Sequence, residues 1–426
     1  MNTSKDVYKS SRMLYIAEAA LEYFISIMVT GVFLAKITTS VGISDTLTGV
    51  LSSFVSLGCG FQLFAIFLAN KRPVKPWVTV LHSVNQLAFA LIYVIPFVEV
   101  SRSAKITLFI VFLLLGHIVN NVVNAPKIDM FMSLVDNDKR GRFTAKKEIV
   151  SLIGGMVFSF VMGVIIDDFE AAGNLNGAFI VCGVTIFLLM LLHSATLIFS
   201  KERPVDETEN IPTKKLVGKL VKDKTLFKVI LISVLWSVVA YSSTPFYGSY
   251  QIKELGFSMT FVSVLAALYA VVRAVFSMPM GKFADKHSFA DMLNVCFIIM
   301  LVAFGINIFT VPANGKVFYT IYYLLYAVGM AGINSATINL IYDYVDDEER
   351  TGALALKSTL AGFAGFFTTL AVSPLVSFVQ NNGNRLFGLD VYAQQAVSAL
   401  AAVLLIGLII YLNLVVKKSE NMRSTE

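Results

Sequence analysis

The chain of 426 residues is poor in charge, in cysteine and in tryptophan. Only 15% of its residues are charged and 56% are apolar, whereas about a quarter of a soluble domain is charged. This composition excludes an ordinary soluble protein. The three cysteines, Cys59, Cys182 and Cys296, lie in apolar stretches without metal-binding spacing or the pattern of a disulfide framework. We expect them to be packing residues.

Sequence motifs for metal binding or catalysis are also missing. The four histidines, at positions 82, 117, 193 and 287, form no H-E-x-x-H or similar group. We therefore expect no enzyme activity, no metal site and no cofactor. A sensor or assembly protein is disfavoured as well, because no sizeable soluble segment is present. The chain has 34 Lys and Arg against 28 acidic residues. In a soluble protein this excess would indicate a nucleic-acid partner, but here the positions of the basic residues indicate how the chain is oriented in a membrane.

Long apolar runs account for most of the chain, and each is close to the roughly 20 residues that a bilayer-spanning helix needs. Period-two alternation is absent, so the spans are predicted to be helices and the class all-α. The predicted spans are 13–37, 46–70, 76–98, 105–126, 148–166, 177–199, 226–248, 258–280, 291–311, 317–341, 355–379 and 393–416.

The basic residues predict how these spans are oriented. With loops assigned alternately, 26 Lys and Arg fall on the side of the termini and six on the other side, while Lys127 and Arg273 lie within or at the end of spans. By the positive-inside rule both termini are cytoplasmic. We expect a multi-pass protein of a bacterial inner or plasma membrane.

A polar segment, 201–224, divides the chain into two parts, 1–200 and 225–426. Its second half has Leu216, Val217, Leu220 and Val221 on one helical face, as in a helix lying on the inner leaflet, although a solvated linker is equally compatible with the pattern. We therefore predict two six-helix bundles joined by a cytoplasmic linker.

The two parts share a repeat after their fourth spans, at a constant offset of 210 residues. Val-Asp-Asn-Asp-Lys-Arg, with Asp136 and Arg140, matches Val-Asp-Asp-Glu-Glu-Arg, with Asp346 and Arg350. Coincidental helix-cap chemistry is the alternative. A true repeat predicts bundles related by an axis along the membrane normal, with a pathway between them.

One further loop carries a family resemblance. Gly281-Lys282-Phe283-Ala284-Asp285-Lys286 resembles the G-x-L-A-D-R signature of the major facilitator superfamily. The resemblance implies twelve transmembrane helices in two pseudo-symmetric six-helix bundles. It also implies that Gly281 permits close helix approach and that Asp285, beside Lys286, stabilises one gate state. In the first-half copy, Asn70 stands where the family has Asp and cannot supply the charge.

Two carboxylates lie inside the first predicted span. Glu18 and Glu22 are four residues apart and share a helix face. Glu22 is about 15 Å deeper than Arg12, near the midplane. An unpaired carboxylate there costs about 2.5–3.5 kcal/mol or more, so we predict that both residues lie on a proton or solute pathway. The alternatives are that Glu18 extends to the inner surface and that Glu22 is neutralised between helices.

Arg273, in span eight, is the basic residue that we place deepest in a predicted span. Three roles are open for it: an ion pair with Glu22 that bridges the two halves, capture of an anionic solute, or an ion pair within its own half. The sequence does not distinguish them.

Other polar residues within spans are candidates for the solute pathway. His117, Asn120 and Asn121 in span four and Asn334 in span ten could bind a polar solute, or could bond between helices. Tyr241 and Tyr326 could stack on a ring in the solute. Tyr319, Tyr247 and Tyr250 are expected in the aromatic belt at the outer interface.

Together these patterns predict a secondary transporter that moves a small solute by alternating access, driven by protons through Glu22. The solute would bind between the halves near the midplane. A proton-driven exporter of drugs or amphiphiles is the alternative, although the arginine in span four that marks many such exporters has no counterpart in 105–125. We expect a monomer whose partners are the solute, protons and lipid.

Overall fold

A computed structural model describes residues 7–69, 73–136, 139–204, 213–346, 349–386 and 388–417. Apart from one two-stranded ribbon, β1 (Arg385–Leu386) paired antiparallel with β2 (Leu389–Asp390), these residues form helices joined by turns. The α-helices are α1 (Lys9–Met28), α2 (Gly31–Ser40), α3 (Asp45–Ser52), α4 (Phe54–Gly60), α5 (Leu63–Ala69), α6 (Lys75–Leu91), α7 (Arg102–Met132), α8 (Arg140–Ala171), α9 (Leu175–Phe199), α10 (Thr213–Lys222), α11 (Lys224–Tyr241), α12 (Tyr247–Ser249), α13 (Met259–Lys286), α14 (Phe289–Ile308), α15 (Gly315–Tyr342), α16 (Arg350–Asn381) and α17 (Ala393–Tyr411).

The described residues include ten helical segments that are long and apolar enough to cross a membrane. An eleventh results if α1 and α2, bent by 44° at their junction, count as one span. The predicted third span corresponds to α6, which has 17 residues and is followed by a 3₁₀ turn at Ile95–Phe97. The chain is therefore an all-helical, multi-span membrane protein.

The first span is broken, which the sequence did not predict. The peptide carbonyl of Met28, at the end of α1, accepts a hydrogen bond of 2.8 Å from the buried Tyr93 hydroxyl. Gly31 begins α2 with a φ of +53°, which glycine adopts without steric cost. The break between α1 and α2 is thus stabilised by the Tyr93 hydroxyl and by the glycine at position 31. The length of the apolar run alone does not indicate this break.

The helices form two compact units. Unit 1 contains Met1–Ile43 and Phe64–Ile211, and unit 2 contains Ser44–Leu63 and Pro212–Glu426. Unit 2 therefore includes the second span of the chain. In unit 2 the Ser56 hydroxyl donates to the carbonyl of Gly362 at 2.9 Å, and the hydroxyls of Thr46 and Ser377 lie 2.9 Å apart. These contacts hold α3 and α4 along α16.

The repeated loops have the same backbone structure. α7 and α15 end at residues 132 and 342, and α8 and α16 begin at residues 140 and 350, which preserves the offset of 210. In each loop the acidic residue, Asp136 or Asp346, accepts a backbone hydrogen bond of 2.9 Å from the amide three residues later. The sequence repeat is thus also a structural repeat.

Helix α10 (Thr213–Lys222) forms most of the second half of the predicted linker. Leu220, on its predicted apolar face, is buried, whereas Val221 is about half exposed. The Lys219 ammonium donates a hydrogen bond to Glu349, which raises the pKa of Lys219 above its ordinary value. Within unit 2, α10 therefore packs beside the start of α16.

Candidate functional site

The two predicted carboxylates lie on the inward face of α1, in unit 1. Glu18 is fully buried, and the side chain of Glu22 is 18% exposed. Their spacing of four residues on an unbroken stretch of helix places both carboxylates at one location. Glu22 is therefore the more accessible carboxylate of the pair.

The cationic partner of both carboxylates is Lys127 of α7, which is 2% exposed. Its ammonium lies 2.8 Å from Glu18 Oε1 and also donates to Glu22 Oε2. The carboxylate of Glu22 thus has a cationic partner within unit 1. Arg273 is exposed on α13, and the three roles considered for it remain predictions.

His82 of α6 accepts the third hydrogen bond of this ammonium. Its Nε2 lies 2.8 Å from Lys127 Nζ, and because an ammonium only donates, Nε2 carries a lone pair. The ring proton is then on Nδ1, which lies 3.1 Å from Asn85 Oδ1. Asn85 in turn donates to the carbonyl of Gly116 at 2.7 Å. His82 is therefore held in one tautomer and one orientation.

His193 of α9 completes the group. Its Nε2 donates to Glu18 Oε1 at 3.0 Å, and its ring centre lies 4.8 Å from that of His82. Among the described residues, neither Glu18 Oε2 nor His193 Nδ1, both buried, has a hydrogen-bond partner. We call Glu18, Glu22, His82, Lys127 and His193 the charged cluster.

The charged cluster has more acid than base. Two carboxylates face one ammonium, and His82 is neutral. The cluster therefore has a net charge of −1 unless one more proton resides on His193 or on a carboxylate. An uncompensated charge in a buried site is costly, so this arrangement favours binding of one exchangeable proton or cation.

An apolar cluster lies next to the charged cluster, one helical turn before Glu18. Tyr15 stacks on Phe131 of α7, with ring centres 4.3 Å apart, and packs with Val78 and Leu197. These residues lie at the start of α1 and α6 and at the end of α7 and α9. Within unit 1, they separate the charged cluster from that end of the bundle.

The other predicted residues of unit 1 are not hydrogen-bonded to the charged cluster. His117 is buried against Phe89, with ring centres 4.9 Å apart. The Asn121 amide donates to the carbonyl of His117, one turn earlier in the same helix. Asn120 is half-buried, and its Oδ1 has no partner among the described residues. Their roles in a pathway remain predictions.

The predicted residues of unit 2 lie near a group of aromatic rings. Tyr326 of α15 has its ring centre 6.5 Å from those of Trp236 and Tyr269. Tyr241, at the end of α11, lies against Gly365 of α16. Asn334 is half-buried on α15.

The expected aromatic belt was wrong. Tyr247, Tyr250 and Tyr319 are buried inside unit 2. The Tyr247 hydroxyl lies 2.7 Å from that of Ser398, and the Tyr250 hydroxyl donates to the carbonyl of Thr310 at 2.6 Å. The hydroxyls of Tyr247 and Tyr250 are thus satisfied by protein groups and do not need the polar interface.

Comparison with known proteins identifies the family. The sequence profile of the major facilitator superfamily matches residues 19–369 and 243–425. The chain belongs to the major facilitator superfamily. It is a membrane transporter of this family and not an enzyme. No curated protein sequence matches the chain significantly.

Solved structures of the superfamily share the fold. A mutant of the nucleoside transporter NupG is 14% identical with a TM-score of 0.72, covering 94% of this chain and 98% of that one. A D-xylose-proton symporter is 14% identical with a TM-score of 0.68, covering 93% and 96%. An autoinhibited peptide transporter of the POT family is 13% identical with a TM-score of 0.69, covering 95% and 97%. These likenesses show the major facilitator fold.

The loop residues that resemble the superfamily signature lie at the end of α13. Asp285 and Lys286 are exposed. No described heavy atom comes within 4 Å of a Cβ added at Gly281, so the close helix approach implied by the resemblance is not seen at this position. Asn70 lies outside the described residues.

The repeat residues have local partners. Asp136 pairs with Lys139 at 2.8 Å on the surface, beside the exposed Arg140. The Arg350 guanidinium lies 4.7 Å from the centre of the Tyr342 ring, and Asp346 is exposed. Their gating roles remain predictions.

Three members of the charged cluster were missed from the sequence. The predicted fourth span ended at 126, whereas α7 continues to Met132 and buries Lys127. His82 and His193 belong to different helices, 111 residues apart in the chain, so no local spacing connects them. A signal was available for Lys127, because a lysine one residue beyond an apolar run can lie inside the helix.

Proposed function

We propose that the chain is a secondary active transporter that moves a small solute by alternating access, and that a proton bound at the charged cluster drives it through Glu22. The observation that supports this function is the imbalance of two carboxylates, one fully buried and one mostly buried, against one ammonium. One additional proton neutralises the cluster, and loss of that proton restores a net charge. Proton exchange therefore changes the electrostatic energy of a buried site, which is what coupling to a conformational equilibrium requires.

Glu22 is the proposed site of proton entry because its side chain is 18% exposed, whereas Glu18 is fully buried. Glu18 keeps hydrogen bonds to both Lys127 and His193. We infer that Glu18 holds the Lys127 ammonium in place and that Glu22 loses its contact with this ammonium when it binds a proton. The ammonium would then still donate hydrogen bonds to Glu18 and His82.

We propose a polar solute with a ring or hydroxyl groups. The half-buried Tyr326 and Asn334, together with Trp236 and Tyr269, support this class within unit 2. The related structures are named for transport of nucleosides, xylose and peptides. We further propose a monomer in an inner or plasma membrane with both termini in the cytoplasm, as the distribution of Lys and Arg indicates.

The test uses purified protein in proteoliposomes, with a solute identified by comparing the metabolites of cells with and without the protein. Glu22→Gln should abolish accumulation driven by a proton gradient while retaining counterflow exchange, because the variant still binds solute but exchanges no proton. Glu170→Gln is the matched control, since Glu170 is the carboxylate of another ion pair of unit 1, with Lys36. It should retain driven uptake. Unchanged driven uptake in Glu22→Gln would reject the coupling role.

A further inference from the structure

The Lys127 ammonium occupies a position that has the donor atoms of a metal site. It is surrounded by Glu18 Oε1, Glu22 Oε2 and His82 Nε2. Ligand atoms from Glu18, Glu22, His82 and His193 all lie within 4.8 Å of one another. Two carboxylates with one or two imidazoles are a donor set typical of divalent transition metals, whereas Mg²⁺ and Ca²⁺ prefer oxygen ligands alone. The sequence, which has no local histidine motif, did not indicate such a site.

The surrounding hydrogen bonds also match those of a metal site. Metal-binding histidines almost always donate their second ring N–H to an acceptor that fixes the tautomer. His82 donates Nδ1–H to Asn85, which is held by the carbonyl of Gly116. The lone pair of Nε2 therefore points at the cation already. In addition, Glu18 Oε2 is buried and has no partner among the described residues, so it is available as a second oxygen ligand.

We propose that the charged cluster is a binding site for a divalent transition metal ion of the Zn²⁺ class, which replaces the Lys127 ammonium. Glu18, Glu22 and His82 would be the ligands. His193 would join them if its ring proton moved from Nε2 to Nδ1. The partly exposed Glu22 provides the route of entry. The proposal goes beyond the proposed function, because metal binding at equilibrium requires neither a proton gradient nor a solute.

Replacement of the Lys127 ammonium by a metal ion requires changes in both the distances and the charges of the site. Glu18 Oε1 and His82 Nε2 each lie 2.8 Å from Lys127 Nζ, whereas Zn²⁺ binds oxygen and nitrogen at about 2.0–2.2 Å. The ligands must therefore move inward by about 0.7 Å, a shift within the reach of glutamate side chains. A doubly charged ion neutralises both carboxylates, so the ammonium must leave the site or lose its proton. The Lys127 side chain thus competes with the metal ion for the same ligands and weakens metal binding in the native protein.

The experiment measures metal binding to the purified, tag-free protein in detergent by competition with a fluorescent chelator. The native protein should bind one Zn²⁺ per chain and bind Mg²⁺ at least tenfold more weakly. His82→Gln and Glu22→Gln should each weaken Zn²⁺ binding at least tenfold. Lys127→Met should tighten it at least tenfold. The matched control is Lys36→Met, because Lys36 is also a buried lysine of unit 1 in an ion pair, and among the described residues its partner Glu170 belongs to no group of potential metal ligands. It should bind Zn²⁺ like the native protein.

Several results would overturn the proposal. These are the absence of saturable Zn²⁺ binding to the native protein, equal binding of Zn²⁺ by the native protein and His82→Gln, and equal affinity for Mg²⁺ and Zn²⁺. If Lys127→Met does not fold, the comparison of the native protein with His82→Gln decides the question. A negative outcome does not affect the test of proton-driven uptake, since that test measures accumulation in Glu22→Gln without added metal.

Discussion

Each hydrogen of the Lys127 ammonium has an acceptor: a carboxylate of Glu18, a carboxylate of Glu22 and the imidazole of His82. The stability of both carboxylates depends on Lys127, because the same ammonium pairs with Glu18 and with Glu22. Removing one partner of a buried ion pair leaves an uncompensated charge, which typically costs about 3–5 kcal/mol.

Lys127→Met should therefore lower the thermal stability of the purified protein more than Lys36→Met does, because Glu170, the partner of Lys36, is half exposed and remains solvated. Adding Glu18→Gln to Lys127→Met should restore part of the loss, since the double variant has one buried carboxylate less. The measurement is a double-mutant cycle: the unfolding temperatures of Lys127→Met, Glu18→Gln and the double variant are compared with that of the native protein in one detergent. If the losses of the two single variants simply add up in the double variant, Lys127 and Glu18 do not stabilise each other.

Two of the five residues of the charged cluster, Glu18 and Glu22, could be predicted from the sequence. A carboxylate in an apolar helix is conspicuous because its burial is costly, so Glu18 and Glu22 could be predicted. His82 and His193 could not, because their role depends on the packing of α6 and α9 beside α1, which no local pattern encodes. Lys127 was missed through an error of six residues in a helix end, and helix ends depend on caps and turns more than on hydrophobicity.

At the scale of helices, the backbones of α4 and α16 in unit 2 approach each other closely at Gly362. A Cβ added at Gly362 would lie 2.8 Å from the carbonyl carbon of Cys59 and closer still to Gly60 N. Backbone atoms cannot move aside as the end of a side chain can. Small residues allow this approach, as they do in many membrane helix pairs, and the Ser56 hydroxyl adds a hydrogen bond across it.

Gly362→Ala should therefore destabilise the protein by about 1–3 kcal/mol or more, because the extra methyl group forces the two helices apart. The matched control is Gly281→Ala in α13, where the added methyl would meet no described atom within 4 Å. It should leave stability unchanged, although Gly281 is the residue that resembles the family signature. The measurement is thermal unfolding of both variants. Equal losses in both variants would show that loss of glycine flexibility, and not helix approach, sets the cost.

The existence and type of most elements were predictable, and their interruptions were not. Ten long apolar helices agree with runs read from the sequence. The junction of α1 and α2 depends on the Tyr93 hydroxyl, which lies 65 residues away in the chain. The repeat was predictable because identical spacing in two loops requires no knowledge of tertiary contacts, and both loops fold alike.

For the whole molecule, the decisive prediction is the side of the membrane on which each loop lies. The predicted arrangement places the segment before α6 with the termini and the segment before α7 on the opposite side. It thus requires α6, with 17 residues and a following 3₁₀ turn, to cross the bilayer. The distribution of Lys and Arg favours this arrangement, since a missing span would place basic loops on both sides.

The test is labelling by a membrane-impermeant thiol reagent in a variant without Cys59, Cys182 and Cys296. Cysteines are introduced singly at the exposed positions Pro73 and Ser103, which flank the helix. Ser103→Cys should react in intact cells, and Pro73→Cys should react only after the membrane is opened. A third variant, Lys286→Cys, reports a loop of the second half that should behave like Pro73→Cys. If Pro73→Cys and Ser103→Cys react on the same side, α6 does not cross the bilayer, and the twelve-span arrangement with both termini in the cytoplasm is wrong.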